Sequence, residues 1–284
     1  MKKELIEERV VFFLFRVVTV FTIIILFSVF LSLFISGHSV INLNFLTSYW
    51  NNSNITHGGI FQAIVGSFYI GVGVTLISFP LGFSSAIFLT HYSKNNLLKR
   101  AIQLAIRNLA GVPSVIYGIF GLAVFVNLLS FGTSLLSAIL TLAVMTLPWI
   151  ITTSITSIES IPPTFYESSV ALGATKWQTI QRIIIPSSIA SAITGGIVSI
   201  TRALGETAPI IIVGATFYLS DLPTSIFDKF MALPYHAFIL STQHSSPYSK
   251  TYAAATALIL VMLTFILSFS AILLRYYYQR RKVW

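Results

Sequence analysis

The chain has 284 residues, of which 55% are hydrophobic and only 9% charged. A soluble domain carries about 25% charged residues, so this chain lacks the charge to wet an ordinary surface and takes lipid as its main solvent. Its net charge of +9 follows from basic residues bordering apolar runs rather than from nucleic-acid binding, and with no cysteine it has no disulfide, thiolate metal site or cysteine nucleophile.

A bilayer core about 30 Å thick needs about 20 helical residues to cross it. Six apolar runs meet that length, at 10–35, 61–89, 102–129, 135–155, 189–218 and 252–274. The first is too long for a cleavable signal and ends without a small-residue cleavage site, so it reads as a retained span. The second and third contain Pro80 and Pro113. Proline removes a backbone donor, so both runs are predicted to bend or break. The Pro113-Ser114 turn reads either as a packing kink or as a place where backbone N–H groups face a pathway. Arg107, early in the third run, is expected to snorkel to the headgroups, with a place on an anion path as the alternative.

Basic residues set the predicted orientation. Lys2, Lys3, Arg9 and Arg16 flank the start of the first run, and Lys94, Lys99, Arg100 and Arg107 follow the second. Lys176 and Arg182 lie between the fourth and fifth, and Arg275, Arg280, Arg281 and Lys282 follow the sixth. The opposite side holds only Lys229 and Lys250. This bias puts both termini and the segment 157–188 in the cytoplasm, and 36–60 and 219–251 outside. The first outer segment is a polar loop with Asn51, Asn52, Ser53 and Asn54. The second, with Pro223, Pro234 and Pro247, reads as a partly re-entrant hairpin. The chain divides into 1–60, with the first span and outer loop, and 61–284, a core of five spans.

The connection between the fourth and fifth runs is long, and long connections tend to be functional. Pro162 and Pro163 predict a new helix starting near Thr164 or Phe165. Gly173 predicts its end in a left-handed conformation. A second amphipathic segment, 177–185, leads to Pro186. The expectation is two short helices at an angle below the membrane. By pattern alone the same stretch reads equally as an elbow lying on lipid.

The spacing within this loop is specific. Glu167-Ser168-Ser169 is followed by three residues, Gly173, nine residues, and Ile183-Ile184-Ile185-Pro186. It resembles the signature of ABC-importer permeases, Glu-Ala-Ala, three residues, Gly, nine residues, Ile-x-Leu-Pro, with serines for the alanines and Ile185 for leucine. The resemblance implies that the loop docks on a separate ATP-hydrolysing subunit, and it assigns that coupling role to Glu167, Ala171, Gly173 and Trp177.

In the fifth run, Arg202 and Glu206 interrupt an apolar sequence. Arginine at the centre of a lipid-facing helix costs roughly 2.5–3.5 kcal/mol on insertion scales, so the pair is expected to face a bundle interior or an aqueous cavity. The i, i+4 spacing predicts one shared helix face and pairing reach. Ser191, Gly195, Ser199 and Ala203 form a small-residue stripe suited to close helix packing. The pair reads either as a structural ion pair pinning the span, or as an oxyanion site. In the second case the planar guanidinium meets the anion while Glu206 holds it.

The stretch Arg202-Ala203-Leu204-Gly205-Glu206-Thr207-Ala208-Pro209 resembles the Arg-x-x-Gly-Glu-Thr-Ala-Pro pattern of the PstA-type phosphate permeases. Further matches are Gly58-Gly59-Ile60 with Ala63-Ile64-Val65-Gly66-Ser67, Pro80-Leu81-Gly82, the stretch from Ala110 to Gly118, and Ala232-Leu233-Pro234. His91-Tyr92 departs from the family, which often has an acidic residue before the tyrosine. The resemblance implies an all-α, type I ABC importer permease fold of six spans with short cytoplasmic coupling helices, in a bacterial plasma membrane. It implies phosphate as cargo and a substrate path through Arg202, Glu206, Thr207 and Arg107. The implied partners are a homologous permease, an ABC ATPase dimer and an extracytoplasmic phosphate-binding protein. The chain itself would carry no cofactor and catalyse no bond chemistry, with ATP and magnesium on the ATPase. Other readings are a permease for sulfate or molybdate and an ATP-independent secondary transporter. No Walker A sequence occurs, and the histidines show no ligand spacing.

Overall fold

The computed structural model describes residues 2–279 apart from 52, 95 and 220. Arg280, Arg281 and Lys282, counted in the predicted charge bias, and Asn52 lie outside the described residues. The spans are α1 (Lys2–Gly37), α3 (Phe61–Ile87), α6 (Leu135–Glu159), α9 (Ile185–Leu204) and α12 (Ser249–Gln279). Between them lie α2 (Leu43–Thr47), α4 (Leu97–Ala110), α5 (Ser114–Gly121), α7 (Pro163–Ala171), α8 (Lys176–Thr179), α10 (Ala208–Val213) and α11 (Leu233–Thr242). Among the described residues, five helical stretches are long and apolar enough to cross a bilayer, and α4 with α5 and the wide turn after it form a bent pair that makes a sixth if counted as one span.

α6 is the centre of the bundle, packing on α3, α4, α5 and α9. α12 packs on the flank of α9, and α1 packs on α12. α6 and α9 come close where Gly195, from the small-residue stripe, leaves room for Thr153: a Cβ there would sit 2.7 Å from that side chain. Buried hydroxyls of these spans such as Ser78, Thr141 and Ser188 donate to carbonyls one turn back, Ser78 to Val74 at 2.6 Å and Thr141 to Ser137 at 2.7 Å, whereas the Ser154 hydroxyl has no partner among the described residues. Where no water reaches, such self-pairing keeps the first three satisfied.

Two proline expectations resolve differently. α3 runs unbroken through Pro80, whereas the third run is no single span. It bends by 102° between α4 and α5. α4 is amphipathic, buries none of its own residues, and ends at Gly111. The Tyr117 hydroxyl straps the break by donating to the Leu109 carbonyl at 2.9 Å. The fifth run is also corrected. Its helix begins earlier, near Lys176, and stops at Leu204 rather than running to 218. Gly205 caps it, α10 follows as a short separate helix, and residues 214–219 carry no helix. A glycine followed by Pro209 within four residues is a stop signal that hydropathy overrode.

At the end away from α7, two loops are tied to the bundle through their backbones. The fully buried Gln62 accepts from the Trp50 N–H at 2.7 Å and donates to the Leu219 carbonyl at 3.0 Å. The Ile226 and Asp228 carbonyls accept the Leu136 and Leu135 N–H groups of the first turn of α6. Ser67 accepts from the Leu233 N–H at 2.9 Å and seats α11 against α3. In place of the predicted hairpin at 219–251, residues 221–232 form bends and a turn that lead into α11, which lies against α12.

Candidate functional site

The break after α9 places the charged residues of the fifth run at the edge of a cavity of about 320 Å³. Its walls are the α4–α5 link at Gly111, Pro113 and Ser114, the α6 residues Thr146 and Trp149, Ser199 and Arg202 on α9, and Glu206 just past its end. Thr146, Ser199 and Tyr117 donate their hydroxyl protons to backbone carbonyls. The charged chemistry of the cavity therefore comes from Arg202 and Glu206. Arg202 is exposed on this single chain and Glu206 is half-buried.

The expected pairing is not the one observed. Glu206 lies beyond the helix end, so the i, i+4 relation of a continuous helix does not hold. No ion pair or hydrogen bond joins it to Arg202 among the described residues. The Arg202 guanidinium instead lies over the Trp149 ring, its Cζ 4.7 Å from the ring centroid. A π face attracts a cation without saturating its donor edge, so the fork of N–H groups stays open to the cavity. Trp149 was not legible as a site residue, because an aromatic inside an apolar run carries no signal of its own.

The other two residues expected on the path stand apart. Arg107 is exposed on α4 and lies outside the cavity wall. Thr207 caps α10, where its carbonyl accepts the Ile211 N–H at 3.2 Å, and it too lies outside the wall. The Pro113-Ser114 turn, by contrast, forms one wall.

The loop after α6 has the predicted start and stop. α7 begins at Pro163, and Gly173 follows it with φ +87°, a conformation that costs an L side chain strain. The second helix is corrected. α8 is not a separate helix at an angle but the start of the fifth span. A wide turn over Ile180–Ile184 joins it to α9, with the Ile185 N–H donating to the Ile180 carbonyl five residues back. That widened turn accommodates Pro186, whose ring would clash with the carbonyl four residues back in a regular helix. The Thr175–Gln178 capping box starts the helix. Ser169 and Thr179 share a buried hydrogen bond at 2.8 Å, which clamps α7 to α8.

Glu167 and Ala171 sit one turn apart on α7, both exposed, and Leu172 beside Gly173 is 89% exposed. Trp177 faces elsewhere, into an apolar groove with Pro80, Phe83 and Tyr92 of the second span. The departing residues also meet this segment. His91 stacks on Tyr166 with centroids 5.5 Å apart, and the Lys176 ammonium lies 4.8 Å from the Tyr92 ring centroid.

The chain is thus an apolar helical bundle with a polar, arginine-bearing cavity on one flank and a short exposed helix at one end. The chain belongs to the family of binding-protein-dependent transport system inner membrane components, whose model matches residues 78–283. Among its relatives, the probable ABC transporter permease protein YqgI of Bacillus subtilis is 31% identical over 258 residues, covering 87% of each chain. The phosphate transport system permease protein PstA 1 of Mycobacterium tuberculosis H37Rv is 28% identical over 230 residues, covering 79% of this chain and 72% of that one. In structure, the chain is similar to a subunit of the MetNI methionine ABC transporter in an inward-facing conformation. The TM-score is 0.62 at 16% identity, over 76% of this chain and 95% of that one, a likeness of fold. The fold is thus all-α, of the type I ABC importer permease kind.

Proposed function

We propose that this chain is a permease subunit of an ATP-driven importer whose cargo is inorganic phosphate. One observation carries the site assignment: the Arg202 guanidinium, with no carboxylate partner among the described residues, is presented on the Trp149 ring at the edge of a polar cavity. The planar donor fork of arginine suits an oxyanion. The phosphate transport system relatives support phosphate as that oxyanion.

The cycle is alternating access. A second, homologous permease covers the flank that bears Arg202, so that the cavity becomes part of a path between two subunits. α7 presents Glu167 and Ala171 to an ATPase dimer, and Gly173 sets its turn. Closure of that dimer moves α7, and the Ser169–Thr179 clamp passes the motion to α9 and so to Arg202. An extracytoplasmic binding protein delivers the anion at the other end. Arg9, Arg16, Lys94, Lys99, Arg100, Lys176, Arg182 and Arg275 support placing the α7 end and both termini in the cytoplasm. Hydrolysis of ATP belongs to the partner.

The test is uptake of radiolabelled phosphate by Arg202→Ala in cells lacking the native permease. The expected result is loss of uptake with the complex still assembled in the membrane. Uptake at the wild-type rate would remove the site assignment, and no phosphate uptake by the unmutated chain would remove the cargo.

A further inference from the structure

We propose that Glu206 selects the cargo by the proton the cargo carries, so that the cavity takes oxyanions that keep an O–H near neutral pH and rejects those that do not. The inference rests on the reading of the cavity as an oxyanion path. Arg202 supplies donors only, and a carboxylate accepts only. Were the two paired, the cavity would present a neutralised ion pair to any anion alike. They are not paired: Arg202 is held on Trp149, and the Glu206 side chain makes no hydrogen bond or ion pair among the described residues.

An anion entering here meets both a donor fork and a carboxylate with no hydrogen-bond partner among the described residues. Inorganic phosphate and arsenate satisfy both, since their oxygens accept from Arg202 while an O–H donates to Glu206. Sulfate and molybdate are fully deprotonated and have no hydrogen to give. Either would set its own negative oxygens against the carboxylate, a like-charge contact with no hydrogen bond to offset it. The fully hydroxyl-bonded Thr146, Ser199 and Tyr117 have donated their protons to the backbone. They do not replace Arg202 as donor or relieve that repulsion. Buried sites built to hydrogen-bond a substrate O–H reject analogues lacking it by roughly 10⁴-fold. This cavity is open on one flank, so a smaller factor is expected.

The test uses the purified, assembled transporter without its binding protein, so that the membrane cavity alone reads the anion. Equilibrium binding of radiolabelled phosphate is competed with arsenate and with sulfate. In the wild type, arsenate is expected to displace phosphate as well as phosphate itself does, and sulfate at least about tenfold more weakly. In Glu206→Gln, whose amide also donates, sulfate is expected to compete nearly as well as phosphate. Unchanged rejection of sulfate in Glu206→Gln, or equal competition by both anions in the wild type, would overturn the proposal. Should Glu206→Gln bind neither anion, Glu206→Asp decides. Phosphate binding with sulfate rejected supports selection by the acid, and indifferent binding overturns it. Arg202→Ala separates the two readings: wild-type phosphate binding no greater than that of Arg202→Ala defeats the phosphate path itself, whatever Glu206 does.

Discussion

Trp149 decides what kind of site Arg202 can make. A guanidinium over an indole face gains about 0.5–1 kcal/mol when exposed and about 2 kcal/mol when desolvated, without occupying the N–H groups that an anion needs. Trp149→Leu keeps an apolar side chain but removes the π face. Phosphate uptake should fall roughly two- to thirtyfold, the range those energies imply. Trp149→Phe, which restores a ring, should recover much of the loss. Equal defects in the two variants would show that Trp149 serves packing rather than Arg202. The sequence made Arg202 and Glu206 legible because charge in an apolar run stands out. It did not reveal how they sit. That depended on the helix ending at Gly205, which detached Glu206 from the helical face of Arg202, and on a ring from another span.

Among the elements, the loop between α6 and α9 was legible in its punctuation but not in its continuity. Pro163 and Gly173 mark the start and stop of α7 because proline fixes φ and glycine tolerates positive φ. Pro186 read as a boundary, yet the wide turn at Ile180–Ile184 carries the helix through it. Such a turn depends on tertiary packing and leaves no local sequence mark. The consequence is mechanical: α8 is the end of the α9 span, so the Ser169–Thr179 contact ties α7 directly to that span. Ser169→Ala leaves the fully buried Thr179 hydroxyl without that partner, a loss of about 1–3 kcal/mol. Replacing both, as Ser169→Ala with Thr179→Val, should be nearly neutral. A double-mutant cycle on thermal stability and on ATPase stimulation by loaded binding protein measures this. Strict additivity would show that the two hydroxyls do not act as a pair.

At the scale of the whole molecule, the all-helical class was plain from hydropathy, because every backbone group in a bilayer must be satisfied within a helix or a closed barrel, while one of the six predicted spans is a bent pair of helices. The bend between α4 and α5 was foreshadowed by Pro113, but its size was not. α4 bends from α5 by 102° and, although it packs on α6, has no fully buried residue. On the flank with Arg202, an exposed guanidinium facing hydrocarbon would cost several kcal/mol, and in the proposed assembly a second permease against that flank would turn the open cavity into a channel wall. The central claim is therefore that this cavity is wet in the assembled transporter.

The chain has no native cysteine, so a single one reports its own surroundings. Ser114→Cys, on the cavity wall, and Leu76→Cys, 70% exposed in an apolar groove between α3 and α9, can be treated with a charged, membrane-impermeant thiol reagent in the assembled complex. Ser114→Cys should react and be slowed by phosphate, while Leu76→Cys stays unmodified. A Ser114→Cys thiol as inert as that of Leu76→Cys would mean that no aqueous anion route passes Arg202.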